Sequence, residues 1–183
     1  MPADGQPRQR LWRVYSQCAL LCAGATERSI AFENNDRPGI MLAGSVRAYA
    51  NRWATALGNR IAIFTNNDDA YRTAHDLHQL GVEIAAVIDS RPEAPESNSF
   101  EVLSASEVVN THGRLGLNSI DVKTPQGLRQ IRVSGLGVSG GWNPNIHLTC
   151  HQRGRPQWDA ALSAFIPSAK LPEGLHVAGA ANG

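Results

Sequence analysis

Residues 60–91, RIAIFTNNDDAYRTAHDLHQLGVEIAAVIDSR, restrict what this chain can fold into more than any other stretch. Ile61, Ala62, Ile63 and Phe64 make a short apolar run suited to a strand buried on both faces. Asn66, Asn67, Asp68 and Asp69 follow, and short polar side chains can accept the free N–H groups of a first helical turn. Ala70, Ala74, Leu77 and Leu80 then recur at helical spacing, with Gly81 as a C-terminal stop. Val82, Ile84, Ala85, Ala86, Val87 and Ile88 form a second buried strand that ends at Asp89. The spacing predicts a βαβ unit of the dinucleotide-binding type, with an acidic residue where a ribose would be read.

Composition limits what surrounds this unit. A length of 183 residues suits one core or a domain with attached arms. The net charge of +1 argues against a nucleic-acid surface, and no apolar run approaches the ~20 residues of a membrane span. Met1–Arg10 is polar and lacks the apolar centre of a signal peptide. Cys18, Cys22 and Cys150 do not make the even count of a disulfide framework. Cys18 and Cys22 lie in an apolar run and are expected to be small core residues in a reducing, cytoplasmic compartment. No metal site is expected. His147 and His151 are four apart, but no glutamate follows His147, and the other histidines form no Cys/His ligand pattern.

Before the βαβ unit, strands are expected at Leu11–Val14 and Cys18–Cys22, the latter running into the turn at Ala23–Arg28. Turn formers fill 32–41, and an amphipathic helix is expected from Leu42 to about Ala56. In that helix Val46, Tyr49, Ala50 and Trp53 face the core, and Gly58 ends it. After the polar loop 92–98, strands at Phe100–Leu103, Val108–Thr111, Leu115–Lys123 and Gln130–Val133 predict a small β-meander with one wet face. Leu136–Asn145 reads as a buried strand entering a glycine-rich turn, and Ile146–Cys150 as the start of a short helix. Trp158, Leu162 and Phe165 have apolar spacing, and 174–183 is a strand entering a second glycine turn.

The phrases AGATER, NNDRPGIMLAGSVRAY, FTNNDDAYRTAHDL, VSGGWNPN and GLHVAGAANG stand in this order in the chain. The order resembles the pyridine nucleotide–disulfide oxidoreductase family, in which one dinucleotide-binding domain is inserted into another. The wording is similar, over nearly all residues after Leu11, to the alpha subunits of heterotetrameric sarcosine oxidases. Opine dehydrogenase and cyanide synthase alpha chains share the plan. The resemblance implies an α/β fold with a Rossmann-like βαβ core and a small antiparallel meander, the inserted second domain of a two-domain flavoprotein-type fold. It divides the chain into an arm of the first domain at 1–41, the inserted domain at 42–140 and a return segment at 141–183. The chain would then be the middle of a larger alpha subunit, working with its remainder and with beta, gamma and delta subunits. The resemblance implies a parent complex that oxidises sarcosine to glycine, formaldehyde and hydrogen peroxide, or to a methylene-tetrahydrofolate product, with NAD in the alpha subunit. FAD and FMN belong to the parent complex and are not bound by this chain alone.

The residues test that expectation in two places. A working fingerprint needs glycines where Thr65, Asn67 and Ala70 stand, and Asp68 and Asp69 place carboxylates where a phosphate would sit. One reading is a retained scaffold that has lost its ligand. The other keeps Thr65, Asn67 and Asp89 as a nucleotide site, with Asp89 on the ribose. Near the end of the chain, Ala180 stands where related flavoproteins hold the ribityl hydroxyls with an aspartate, a change that suits NAD better than FAD. Gly24, Ala25, Gly179, Ala180 and Ala181 are then expected to wall part of an NAD site. No catalytic residue is expected in this chain. The adjacent pairs Glu27–Arg28 and Asp36–Arg37 are expected to be solvated or structural, and His75 and His78 to face water.

Overall fold

The computed structural model describes residues 7–183, and 1–6 lie outside the description. The chain forms two compact units: Thr26–Asn143, and Met1–Ala25 with Pro144–Gly183. Residues 26–41, expected with the first arm, fall in the Thr26–Asn143 unit.

The strands and helices run in the order β1 (Ala19–Leu21), β2 (Ala25–Glu27), β3 (Ile40–Leu42), α1 (Ala43–Trp53), β4 (Arg60–Thr65), α2 (Asp69–Gln79), β5 (Glu83–Asp89) and β6 (Val102–Leu103). There follow β7 (Glu107–His112), β8 (Ser119–Thr124), β9 (Gly127–Arg132), β10 (Gly135–Ser139), β11 (Trp142–Pro144), β12 (Gln157–Asp159), β13 (Ala164–Ile166) and β14 (Leu175–Val177).

The Thr26–Asn143 unit is built on a parallel sheet of order β3–β10–β4–β5–β6. Its core has two sides because successive side chains of a strand point to opposite faces. Ile61 and Ile63 pack with Val46, Ala50, Ala70, Ala74 and Leu77 of the helices, whereas Ala62 and Phe64 pack with Val108, Ile120, Val122 and Ile131 of the meander. That explains why β4 and β5 read as continuous apolar runs: both faces are covered. The meander β7–β8–β9 is antiparallel, with Pro125 and Gln126 turning the chain between β8 and β9. Each fully buried Ile or Leu here contributes roughly 1.5–3 kcal/mol relative to exposure.

Several boundaries and burials differ from the sequence reading. The helix expected to reach Ala56 ends at Trp53, and its stop is Ala54 at φ 48°, not Gly58. Two amides close that end, Ala54 N–H on the Ala50 carbonyl and Thr55 N–H on the Tyr49 carbonyl, so backbone bonding sets the stop without a glycine. Tyr49 and Trp53 are not core-facing. They stack on each other at 5.0 Å and are 47% and 59% exposed, because the helix is covered along Ala43, Val46 and Ala50 instead. Leu80, expected on the buried stripe of α2, follows the helix and is exposed. The strand expected from Leu115 begins only at Ser119.

In the unit of Met1–Ala25 and Pro144–Gly183, β1 pairs in parallel with β14, and β12 with β13 as a hairpin on which Trp158 and Phe165 meet edge to face at 5.2 Å. Leu11–Val14 forms no strand, and Leu11, Trp12 and Val14 are largely exposed. Cys18 and Cys22 are likewise exposed, not core residues. The reason is architectural: β1 has one partner strand among the described residues, and only Leu21 of its three residues is buried. The expected helix after Ile146 is a 3₁₀ helix, His147–Arg153.

Candidate functional site

In an open parallel sheet, ligands bind beyond the carboxyl ends of the strands, at the point where strand order reverses. Here β10 lies between β3 and β4, so that point falls at the ends of β10, β4 and β5. The register sets Ser139 beside Thr65 and Thr65 beside Asp89, one row of three polar residues that are all fully buried. The sequence had marked Thr65 and Asp89. Ser139, far away in the chain, completes the row.

The turn after β4 is filled by its own side chains. Thr65 Oγ1 accepts the Asn67 N–H at 3.0 Å and donates back to the Asn67 carbonyl at 3.0 Å. Asn67 Nδ2 donates to the Ser139 carbonyl and to Ser139 Oγ, each at 3.1 Å. Its Oδ1 accepts the Asp69 N–H at 3.1 Å, so Asn67 caps α2 with the oxygen an anion would otherwise supply. The cap comes from Asn67 and not from Asp68, whose side chain makes no capping bond.

Asp89 is fully buried and its carboxylate is fully engaged. Tyr71 Oη donates to Oδ2 at 2.8 Å, and the Arg91 N–H donates to Oδ1 at 2.9 Å. The Arg91 guanidinium adds Nε to Oδ1 at 3.1 Å and Nη2 to Oδ2 at 2.8 Å, while Nη2 also reaches Asp68 Oδ1 at 2.7 Å. Burial, reinforced by the bond to Asp89, pushes the Tyr71 hydroxyl far up, so it stays a donor. The bond to Asp89 likewise pushes the Arg91 guanidinium up. The pattern Asp-x-Arg at the end of β5 was visible in the sequence, but its pairing was not read there.

A second helix end at the same sheet edge has an internal acceptor too. Glu27 Oε2 accepts the Gly44 N–H in the first turn of α1 at 2.9 Å. A Cβ on Gly44 would stand 2.7 Å from that oxygen, so the approach needs glycine. Glu27 is thus part of the fold and not a solvated loop charge. Arg37 is structural as well: its Nε donates to Thr111 Oγ1 at 3.2 Å and its Nη1 to the Gly113 carbonyl. His75 is exposed but packs its ring on Phe100, at 5.0 Å.

The small-residue turns of the other unit are arranged differently. Because β1 and β14 are parallel and in register, the turns holding Gly24 and Gly179 leave the same end of one strand pair. Both glycines are left-handed, at φ +69° and +67°, and a Cβ on either would meet nothing within 4 Å. Asn145 holds the first turn, its Nδ2 on the Ala23 carbonyl and its N–H on the Gly24 carbonyl, each at 2.9 Å. Ala181 is fully buried beneath the second turn, and Ala25 and Ala180 flank the two glycines. Among the described residues there is no cluster of three or more His, Cys, Asp or Glu able to hold a metal. No helix among them is long and apolar enough to cross a membrane.

No family model matches the chain. It is 42% identical over 182 residues to the sarcosine oxidase alpha subunit of Rhizobium meliloti (strain 1021), covering 98% of this chain and 18% of the relative. It is 38% identical to that of Corynebacterium sp. (strain U-96), again over 98% of this chain and 20% of the relative. The chain therefore spans about a fifth of the length of the curated relatives it matches. Among solved structures, L-proline dehydrogenase from P. horikoshii superposes with a TM-score of 0.67 at 20% identity, over 88% of this chain and 29% of that one. Lactococcus lactis thioredoxin reductase superposes at 0.64 and 12% identity, over 89% and 57%. At these identities the structures show the fold alone, which is the α/β fold with parallel sheet and antiparallel meander found in thioredoxin-reductase-like flavoproteins. By sequence, this chain is homologous over nearly its whole length to a segment of sarcosine oxidase alpha subunits.

Proposed function

We propose that this chain acts as a scaffold and partial dinucleotide-binding segment of a sarcosine-oxidase-type alpha subunit, without catalytic residues of its own. The observation that carries this reading is the 36–42% identity sustained over 98% of the chain. In the proposed setting the remainder of the alpha subunit, with beta, gamma and delta subunits, oxidatively demethylates sarcosine to glycine, formaldehyde and hydrogen peroxide. NAD is the alpha subunit's cofactor in this reading, and FAD and FMN belong elsewhere in the complex. The inserted domain is 42–140, with 1–41 and 141–183 as parts of the first domain.

The two glycine turns and the β4–α2 crevice take opposite roles. The β4–α2 crevice does not fit a dinucleotide. Asn67 already occupies the helix end, Asp68 and Asp69 would repel a phosphate, and Arg91 and Tyr71 hold the Asp89 carboxylate that a ribose would need. A carboxylate near a phosphate costs on the order of 1 kcal/mol even at high effective dielectric. Gly24 and Gly179 present open backbone that a dinucleotide could approach, with Ala25 and Ala180 beside them and Ala181 buried beneath, and Ala180 offers no carboxylate for a ribityl chain. They form one part of the NAD site in this reading.

Calorimetric titration of the purified chain with NAD tests the assignment, repeated on Asp89→Asn with the fold checked by circular dichroism. The same weak or absent heat in both chains is expected. Tight binding lost on Asp89→Asn with the fold intact would move the site back to β4–α2. Hydrogen peroxide release from sarcosine by the chain alone is expected to be nil, and steady turnover would overturn the scaffold role.

A further inference from the structure

The C-terminal end of α1 carries apolar surface that the described residues leave uncovered. Tyr49 and Trp53 stack there at 5.0 Å, with 47% and 59% of their surfaces exposed. Just past the helix, Ala54 and Ala56 join Ala50, Leu80 and Val82 around an apolar groove of about 150 Å³, and Leu80 is 56% exposed. That volume is well below the ~300–1,000 Å³ of small-molecule sites and suits one apolar side chain. Arg52 follows Tyr49 by three residues, so it lies on the same side of α1, and it is exposed. No carboxylate among the described residues pairs with it. Tyrosine, tryptophan and arginine are the residue types that carry most of the binding energy at protein interfaces.

Size decides what covers this face. Even taken together, Tyr49, Trp53 and Leu80 expose only on the order of 400 Å², at about 250 Å² per large side chain. A stable interface between separate chains takes about 800 Å² from each partner, so this surface is too small to hold a second copy by itself. A tethered segment meets the same surface at an effective concentration in the millimolar range, and a small contact then suffices. We propose that this face docks a stretch of the same polypeptide, from the part of the alpha subunit outside this chain, that carries two apolar side chains and an acidic residue. One apolar side chain packs on Tyr49 and Trp53, with the carboxylate beside it on Arg52, and the other enters the groove past the helix end. The inference rests on the reading of this chain as an alpha-subunit segment, of which it spans 18–20% in the relatives it matches.

The test grafts this chain into the Rhizobium meliloti alpha subunit in place of the matched segment and co-expresses the other subunits of that oxidase. Tyr49 is replaced by the photo-crosslinker p-benzoylphenylalanine. Mass spectrometry of the irradiated enzyme should find crosslinks to alpha-subunit peptides outside the graft. In an assembled, active enzyme, crosslinks to another subunit, to a second copy or to nothing would overturn the docking and leave the alpha-subunit reading standing. Arg52→Glu should lower the crosslink yield roughly fivefold, whereas Arg52→Lys should keep it. Equal yields in the two would overturn the acidic partner. A graft that does not assemble counts against the alpha-subunit reading instead, and footprinting by hydroxyl radicals then decides the docking on the native Rhizobium meliloti oxidase. There the positions aligned with Tyr49 and Trp53 should be labelled several-fold less than in the free chain, and equal labelling would overturn it. Sedimentation of the free chain at tens of micromolar should give a monomer, and a dimer lost on Trp53→Ser would transfer the face to self-association and overturn the proposal.

Discussion

The two places where this fold could meet a dinucleotide differ in who supplies the hydrogen-bond partners. At the ends of β4, β5 and β10 the protein supplies the main ones: Asn67 caps α2, Glu27 Oε2 caps α1, and Arg91 with Tyr71 saturates Asp89. At the ends of β1 and β14 two left-handed glycines face open space. The contrast teaches that a crevice is defined less by its topology than by whether its backbone donors and acceptors are already paired. The Rossmann-type strand order is intact in the first case, yet its polar groups are satisfied from within.

The largest expected effect comes from breaking the saturated side. Asp89→Ala leaves a buried tyrosine hydroxyl unpaired and Arg91 without its main partner, and should cost about 3 kcal/mol in denaturant unfolding. A loss under 1 kcal/mol would mean that water enters and that the crevice is not closed. Asn67→Ala removes the α2 cap and the tie to Ser139, and should cost about 1 kcal/mol by the same measurement. Gly24→Ala, in open space but at positive φ, should also cost about 1 kcal/mol, as backbone strain without a clash. A much larger loss there would show that the glycine turn is packed and not open. The smallest effect belongs to the exposed α1 pair: Trp53→Ser should change stability by no more than about 0.5 kcal/mol. If it costs as much as a core residue, the aromatic pair is buried in solution.

Much of the central unit was legible because its signals are local. The apolar runs of β4 and β5, the turn chemistry between them and the stop at Gly81 correspond to the observed β4–α2–β5, within a residue or so at each end. The two-sided burial of β4 follows from the same runs. Exposure was less legible. Tyr49 and Trp53 fit the helical period, but which stripe of α1 is covered depends on where α2 and the sheet lie. Cys18 and Cys22 fit a buried strand, but burial needs neighbours on both sides, and β1 has one strand partner among the described residues. At the candidate site, Thr65, Asn67 and Asp89 were read as the positions that matter. Ser139 and the tie of Glu27 to Gly44 were missed because hydrogen bonding between residues 72 or 17 positions apart leaves no periodic trace, whereas Arg91, two residues from Asp89, was in view but its pairing was not read.

The opening stretch 60–91 thus divides cleanly. The sequence by itself determined that it forms strand, helix and strand, since hydrophobic period and turn chemistry act over a few residues and need no partner. Only the tertiary structure decided what stands at the end of those strands. It set Ser139 beside Thr65 and brought Glu27 to Gly44, because parallel strand order and register juxtapose groups that the chain keeps far apart, and it folded Arg91 back onto the buried carboxylate of Asp89.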